Sequence, residues 1–174
     1  MTRSIYIRSW RVDVDVRDGV RVPVARTTLA RSMALALDAV DAPSPASIGL
    51  ILSNDAELAE LNATHMGKDG PTDVLSFPLL PPDAFATDAG TPVVPRPPGS
   101  RLHLGDIVVS VDRTREQAET GRGGQTGDVH WSVADELRLL VTHGTLHICG
   151  WDHAEPDEEA AMRALELRLM EAPA

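Results

Sequence analysis

His143-Gly144-Thr145-Leu146-His147-Ile148-Cys149-Gly150-Trp151-Asp152-His153 places three imidazoles at offsets of zero, four and ten. Four residues make about one helical turn, so His143 and His147 project from one helix face with Cβ atoms about 5–6 Å apart, a spacing that one metal ion bridges. Gly150, three positions beyond His147, takes the left-handed conformation that ends a helix and lets the chain bring His153 back toward the other two. Three His ligands with one position left open is the pattern of a catalytic rather than a structural zinc site, because water occupies the fourth position. We therefore expect one Zn2+ per chain on His143, His147 and His153, with nickel or another imidazole-tolerant ion as the alternative.

The offsets match those of the metzincin motif His-Glu-x-x-His-x-x-Gly-x-x-His, whose Glu is the general base of a protease. Here that position is Gly144, which points away from peptide hydrolysis. His-Gly-x-Leu-His-x-x-Gly-Trp-Asp-His instead resembles the signature of the YbeY endoribonucleases, bacterial metal-dependent factors of ribosomal RNA maturation. Two further stretches support the resemblance: Leu61-Asn62 with Gly67 to Pro78, and Leu104 to Ser110. Together the blocks run from about Ile48 to Met170, in the family's order.

The resemblance implies a single α+β domain over residues 1–174 with a zincin-like fold: a small mixed sheet with a long ligand-bearing helix packed on it. It implies a zinc-dependent, single-strand-specific endoribonuclease that matures the 3′ end of small-subunit rRNA and serves ribosome quality control. Expected partners are rRNA and small-subunit assembly proteins, with no DNA and no membrane. The alternatives are a ribosome-assembly binding factor with a mainly structural metal and, further off, a metalloprotease. In the family an Arg usually precedes the Gly of the second block; this chain has Met66 there, so any cationic help to a phosphoryl transition state must come from elsewhere. Small hydroxyls and an acid at Thr72, Asp73 and Ser76 suit either a substrate phosphate or the turn itself. The resemblance favours substrate binding, with Lys68 beside them. Asp152 either orients one of the imidazoles as an acceptor, on occasion reaching the ion itself, or caps the helix before Pro156. His65 is not assigned to the metal.

The 174 residues suit one domain with its own core. A hydrophobic content of 43% and a charged content of 24% describe a soluble globular protein. No run approaches the ~20 apolar residues of a membrane span, and Arg3, Arg8 and Arg11 interrupt the N-terminus, so a cytoplasmic protein is expected. The lone Cys149 forms no internal disulfide and reads as packing rather than as a ligand. A net charge of −10 argues against broad nucleic-acid binding. Residues 1–31, with seven Arg and three Asp, carry +4 all the same, which suits either a basic patch or ordinary solvated positions.

Val12-Asp13-Val14-Asp15-Val16 alternates as a strand does, with Asp18-Gly19 as a turn signal, so a hairpin or one or two strands are expected within Ile5 to Val24. Thr27 or Thr28 caps a helix that buries Leu29, Met33, Leu37 and Val40, and Pro43-Ser44-Pro45 ends it. Ile48 to Leu52 reads as a strand. Asn54 with Glu57 reads as a capping box before a helix carrying Leu58 and Leu61 inward. Lys68 to Pro71 is a turn, and Val74 to Phe77 a strand ended by Pro78. Residues 79–100, with six of the thirteen Pro, predict an exposed surface loop. His103 to Ser110 is a strand bent or closely approached at Gly105. Asp112 caps a helix to Thr120, and Gly121 to Gly124 is a linker. From about Val129 a long helix with Val133, Leu137, Leu140, Val141 and Leu146 inward delivers the first two ligands, leaving His130 too far back to join them. Pro156 opens a last helix that buries Met162, Leu165 and Leu169.

Overall fold

Alternation in the N-terminal segment makes an antiparallel pair in the computed structural model, which describes residues 1–85, 97, 99–121 and 131–172. Strand β1 (Arg3–Ile7) pairs with β2 (Trp10–Val16) from Arg3↔Val14 to Ile7↔Trp10. The reversal is at Arg8-Ser9, not at Asp18-Gly19, which lies beyond the end of β2. Arg8 adopts φ 52°, unusual for a residue with a side chain. A tertiary partner steadies it: the Arg8 guanidinium meets the Asp38 carboxylate at 2.9 Å, and the Trp10 indole N–H donates to the same carboxylate at 2.7 Å. Trp10, Val12 and Val14 are buried, and the intervening Arg11, Asp13 and Asp15 occupy the opposite face.

Helix α1 (Arg26–Ala39) starts from Ala25, which makes no side-chain cap, so neither Thr27 nor Thr28 opens it. Its inward face is Leu29, Met33 and Leu37, as the spacing predicts. Strand β3 (Ala46–Ser53) leads to α2 (Asp55–Met66), where Asn54 accepts from the Glu57 amide at 3.1 Å. Only that half of the capping box forms, because the Glu57 carboxylate turns instead to Arg17, at 2.7 Å, and to the Ser53 hydroxyl. Strand β4 (Val74–Pro78) retains Pro78 rather than stopping before it, which an edge strand permits. A short 3-10 turn (Pro82–Phe85) follows; of the expected loop 79–100, residues 86–96 and 98 lie outside the described residues. Strand β5 (Leu102–Ser110) passes into α3 (Val111–Thr120), whose cap is Ser110 and not Asp112. The expected linker after Gly121 and His130 also lie outside the described residues, and the long helix begins at Val133, four residues later than the expected start near Val129, because Ser132 caps it. Helices α4 (Val133–Ile148) and α5 (Pro156–Glu171) complete the chain.

The strands form one mixed sheet in the order β1-β2-β3-β5-β4. β2, β3 and β5 run parallel, and the edge strands β1 and β4 antiparallel to their neighbours. One face carries Val12, Val14, Ile48, Leu50, Leu52, Leu104, Ile107 and Val109 against Leu29, Met33 and Leu37 of α1 and Leu137, Leu140, Val141 and Ile148 of α4. This layer is the main core, and it presses α4 onto the β4–β5 end of the sheet. On the other face, Leu58 of α2 packs on Leu75 and Val108. A third cluster, Ala36, Leu146, Met162 and Leu165, docks α5 onto the outer side of α1 and α4. The expectation of an α+β fold, a small mixed sheet with a long helix carrying His143 and His147 laid on it, describes this architecture. No helix among the described residues is long and apolar enough to cross a membrane.

Candidate metal centre

Ser132 starts α4 by accepting from the Asp135 amide at 3.1 Å, with Asp135 and Glu136 in the positive first turn. At the other end of the helix, Gly144 is buried against β5. A Cβ there would stand 2.8 Å from Ile107 Cγ2 and 3.2 Å from Ser76 Oγ. The Ser76 hydroxyl donates to the Gly144 carbonyl at 3.1 Å, tying β4 to the helix between its two imidazoles. The position that would hold a protease's Glu is thus occupied by the contact between helix and sheet. Gly105 serves the same approach, since a Cβ there would lie 2.8 Å from Ile148 Cδ1.

The helix ends as a Schellman turn. Gly150 N–H donates to the His147 carbonyl at 3.0 Å and Trp151 N–H to the Leu146 carbonyl at 3.0 Å, with Gly150 at φ 83°. Trp151 also packs against the cluster of Ala36, Leu146, Met162 and Leu165. The reversed chain returns His153 to the helix. Its ring lies 5.6 Å from that of His143 and 5.1 Å from that of His147, centroid to centroid. Donor-capable atoms of the three all lie within 4.8 Å of one another.

His143 Nε2 and His147 Nε2 stand 3.0 Å apart. Two imidazole nitrogens on one tetrahedral zinc lie about 3.3 Å apart, given Zn–N bonds of about 2 Å, so the pair needs only a small adjustment. Burial, and then the neighbouring rings of His143 and His153, push His147 down to about 4; a hydrogen bond to the Trp151 backbone opposes them. His147 is therefore neutral near pH 7 and offers a lone pair. Two half-buried imidazoles and an exposed third make a donor set that fits a divalent transition metal.

Sequence reasoning missed Glu166. Its Oε1 lies 2.6 Å from His143 Nδ1, and the residue is only 9% exposed. The available signal was its place on the inward stripe of α5, four residues after Met162 and beside Leu165, where an acid is out of pattern.

The other candidate residues are spread between the centre and its surroundings. Asp152 is exposed, and its carboxylate accepts from the His153 amide at 2.7 Å, shaping the loop that carries the third imidazole. Asp73 accepts from Val74 N–H at 2.8 Å, from the Thr72 hydroxyl at 3.3 Å and from Gln117 Nε2 at 2.9 Å, so Thr72 and Asp73 belong to a network joining the β4 entrance to α3. Lys68 is exposed on the turn after α2. His65 packs edge-on against Phe77 with ring centroids 5.1 Å apart, apart from the His cluster. Met66 is 46% exposed. Cys149 is buried, and burial pushes its thiol up to about 12, as expected of a packing residue.

Residues 16–173 match the family model described as Endoribonuclease YbeY. The chain is similar to the endoribonuclease YbeY of Salinispora tropica, with 41% identity over 78% of this chain and 79% of that one. It is similar likewise to the endoribonuclease YbeY of Thermobifida fusca, with 37% identity over 91% of this chain and 92% of the other. Among solved structures it shares the fold of the Thermotoga maritima protein TM1509, determined in solution. The TM-score is 0.52 and the identity 23%, covering 93% of this chain and 87% of that one.

Proposed function

This chain belongs to the endoribonuclease YbeY family, and from that premise we propose that it hydrolyses phosphodiester bonds of single-stranded RNA at the His143, His147 and His153 centre. In this reading one zinc ion per chain is the cofactor. The substrate is ribosomal RNA, at the 3′ end of the small-subunit species and in ribosome quality control. Small-subunit assembly proteins are the partners, and the cytoplasm is the place of action. The observation that carries the proposal is the convergence of three imidazoles, two facing Nε2 to Nε2 at 3.0 Å, on a loop-covered helix end with an exposed third ring.

Each residue has a part in this reading. When bound, a zinc ion supplies Lewis acidity for activating water and drawing charge off a phosphoryl oxygen near neutral pH. His143 and His147 would hold it from the helix, and His153 from the loop shaped by Asp152. Gly144 supplies no base, so the protein leaves proton abstraction to groups other than the protease Glu. Ser76 holds the helix at its working distance from β4. Lys68, Thr72 and Asp73 are proposed to border the RNA, their network with Gln117 keeping the β4 entrance in shape. One observation favours a second reading: Met66 in place of a cationic residue, on a chain of net charge −10, suits a ribosome-assembly binding factor whose metal is chiefly structural.

Cleavage of a labelled single-stranded precursor-rRNA fragment should therefore require zinc-loaded wild-type protein and be absent from His147→Ala. Melting temperatures measured alongside separate the readings. If zinc raises the melting temperature of the wild type but neither form cleaves, the binding factor is correct. Casein cleavage would revive the protease.

A further inference from the structure

Glu166 is an acid on the inward, otherwise apolar stripe of α5. It is 9% exposed on a helix whose next residue, Leu167, is 48% exposed, so the acid points in while an apolar side chain faces water. Burying a carboxylate costs several kcal/mol unless a partner compensates it. The partner shown is His143 Nδ1, 2.6 Å from Oε1. A neutral imidazole has one N–H and one lone pair. An Nδ1–H given to Glu166 leaves the lone pair on Nε2, the nitrogen that faces His147 at 3.0 Å.

Resting on the reading of His143, His147 and His153 as cation ligands, we propose that Glu166 is a positioning residue of that centre. It holds the His143 ring in the rotation and tautomer that aim Nε2 at the cation. The fold fixes its depth along α5 at both ends. At the start, Glu155 and Glu158 form a reciprocal capping box. Near the end, Arg138 of α4 donates to the carbonyls of Ala172, at 3.2 Å, and Met170, at 3.5 Å. The helix that presents His143 therefore also anchors the helix that carries Glu166. A carboxylate behind a metal-binding imidazole is a recurrent arrangement, and losing one typically costs 10–100-fold in metal affinity.

Two variants test this. Glu166→Leu fills the stripe and removes the acceptor, while Glu166→Gln keeps an oxygen that still accepts from Nδ1–H. The His143 tautomer is read in the metal-free proteins from long-range 1H–15N spectra, and Zn2+ affinity by competition with a chromogenic chelator. Wild-type protein should show Nδ1–H; Glu166→Leu should lose that preference and bind zinc about 10–100-fold more weakly. Glu166→Gln should keep the tautomer with a smaller loss of affinity. Zinc uptake by the wild type with tautomer and affinity unmoved in Glu166→Leu overturns the role of Glu166 alone. A wild type that takes up no zinc overturns the cation reading itself. Should Glu166→Leu fail to fold, a Glu166→Gln affinity equal to that of wild type overturns the proposal.

Discussion

Gly144 shows how one residue can carry both a functional signal and a packing duty. Its missing side chain removes the protease base, and the same absence lets the helix touch Ile107 and take the Ser76 hydrogen bond. Helix propensity alone would make Gly144→Ala stabilising by about 1 kcal/mol. Overpacking against a Cγ2 atom 2.8 Å away costs about 1–3 kcal/mol. We expect the second effect to win, with a net loss of up to about 2 kcal/mol in urea unfolding of the metal-free protein. An unchanged or raised midpoint would mean that the helix can lift off β5 freely. His147→Ala is expected to act differently. At zinc a hundredfold above its dissociation constant, the wild type should gain about 2.7 kcal/mol of stability, and the variant almost none of it.

Among the elements, the turn after α4 is the one whose geometry the centre depends on. Gly150→Ala forces a Cβ into φ 83° and to 3.1 Å from Pro82, a cost of about 1–2 kcal/mol from backbone conformation alone. Because the turn aims His153, zinc affinity should fall along with stability. Asn54→Ala is the contrasting case: the lost cap of α2 should cost about 1 kcal/mol while zinc affinity stays as in wild type, since α2 packs on the opposite face of the sheet. Chelator competition on both variants separates them, and an equal loss of affinity in the two would show that His153 is not set by the turn. The elements were legible to different degrees. α4, α5 and the Asn54 cap could be read from periodicity and end signals. The starts of α1 and α3 could not, because Ala25 opens a helix without a cap and Ser110, still in a strand, serves as the cap of α3.

At the scale of the whole molecule, Arg17 at the end of β2 joins Glu57 of α2, at 2.7 Å, to Asp15, at 3.0 Å. The hydrogen bond from Arg17 is the main reason that the Glu57 carboxyl titrates below its ordinary value of 4.5. Its folded-state value is the lower one, so the unfolded chain takes up the proton first as pH falls. The stability it contributes is therefore present above about pH 4.5 and lost as the pH drops through the depressed folded value. Both side chains are partly exposed, so the contribution is about 1 kcal/mol at most. Wild type should exceed Glu57→Gln in urea stability at pH 7, and the gap should narrow progressively on acidification below about pH 4.5. A gap that widened instead would show that the ion pair is not the source.

The sequence alone determined the two His on one helical turn, the Gly that ends that helix, the third His beyond it and the mixed α+β pattern, since spacing along a chain fixes facing within a helix or strand. Tertiary structure alone decided the rest. Arg8 turns in the left-handed region because Asp38 waits thirty residues on; Ser76 meets the Gly144 carbonyl rather than solvent; and Glu166 reaches His143 across 23 positions of chain. Each of these contacts joins elements that only the packed core brings together, and no local periodicity encodes a partner that lies on another element.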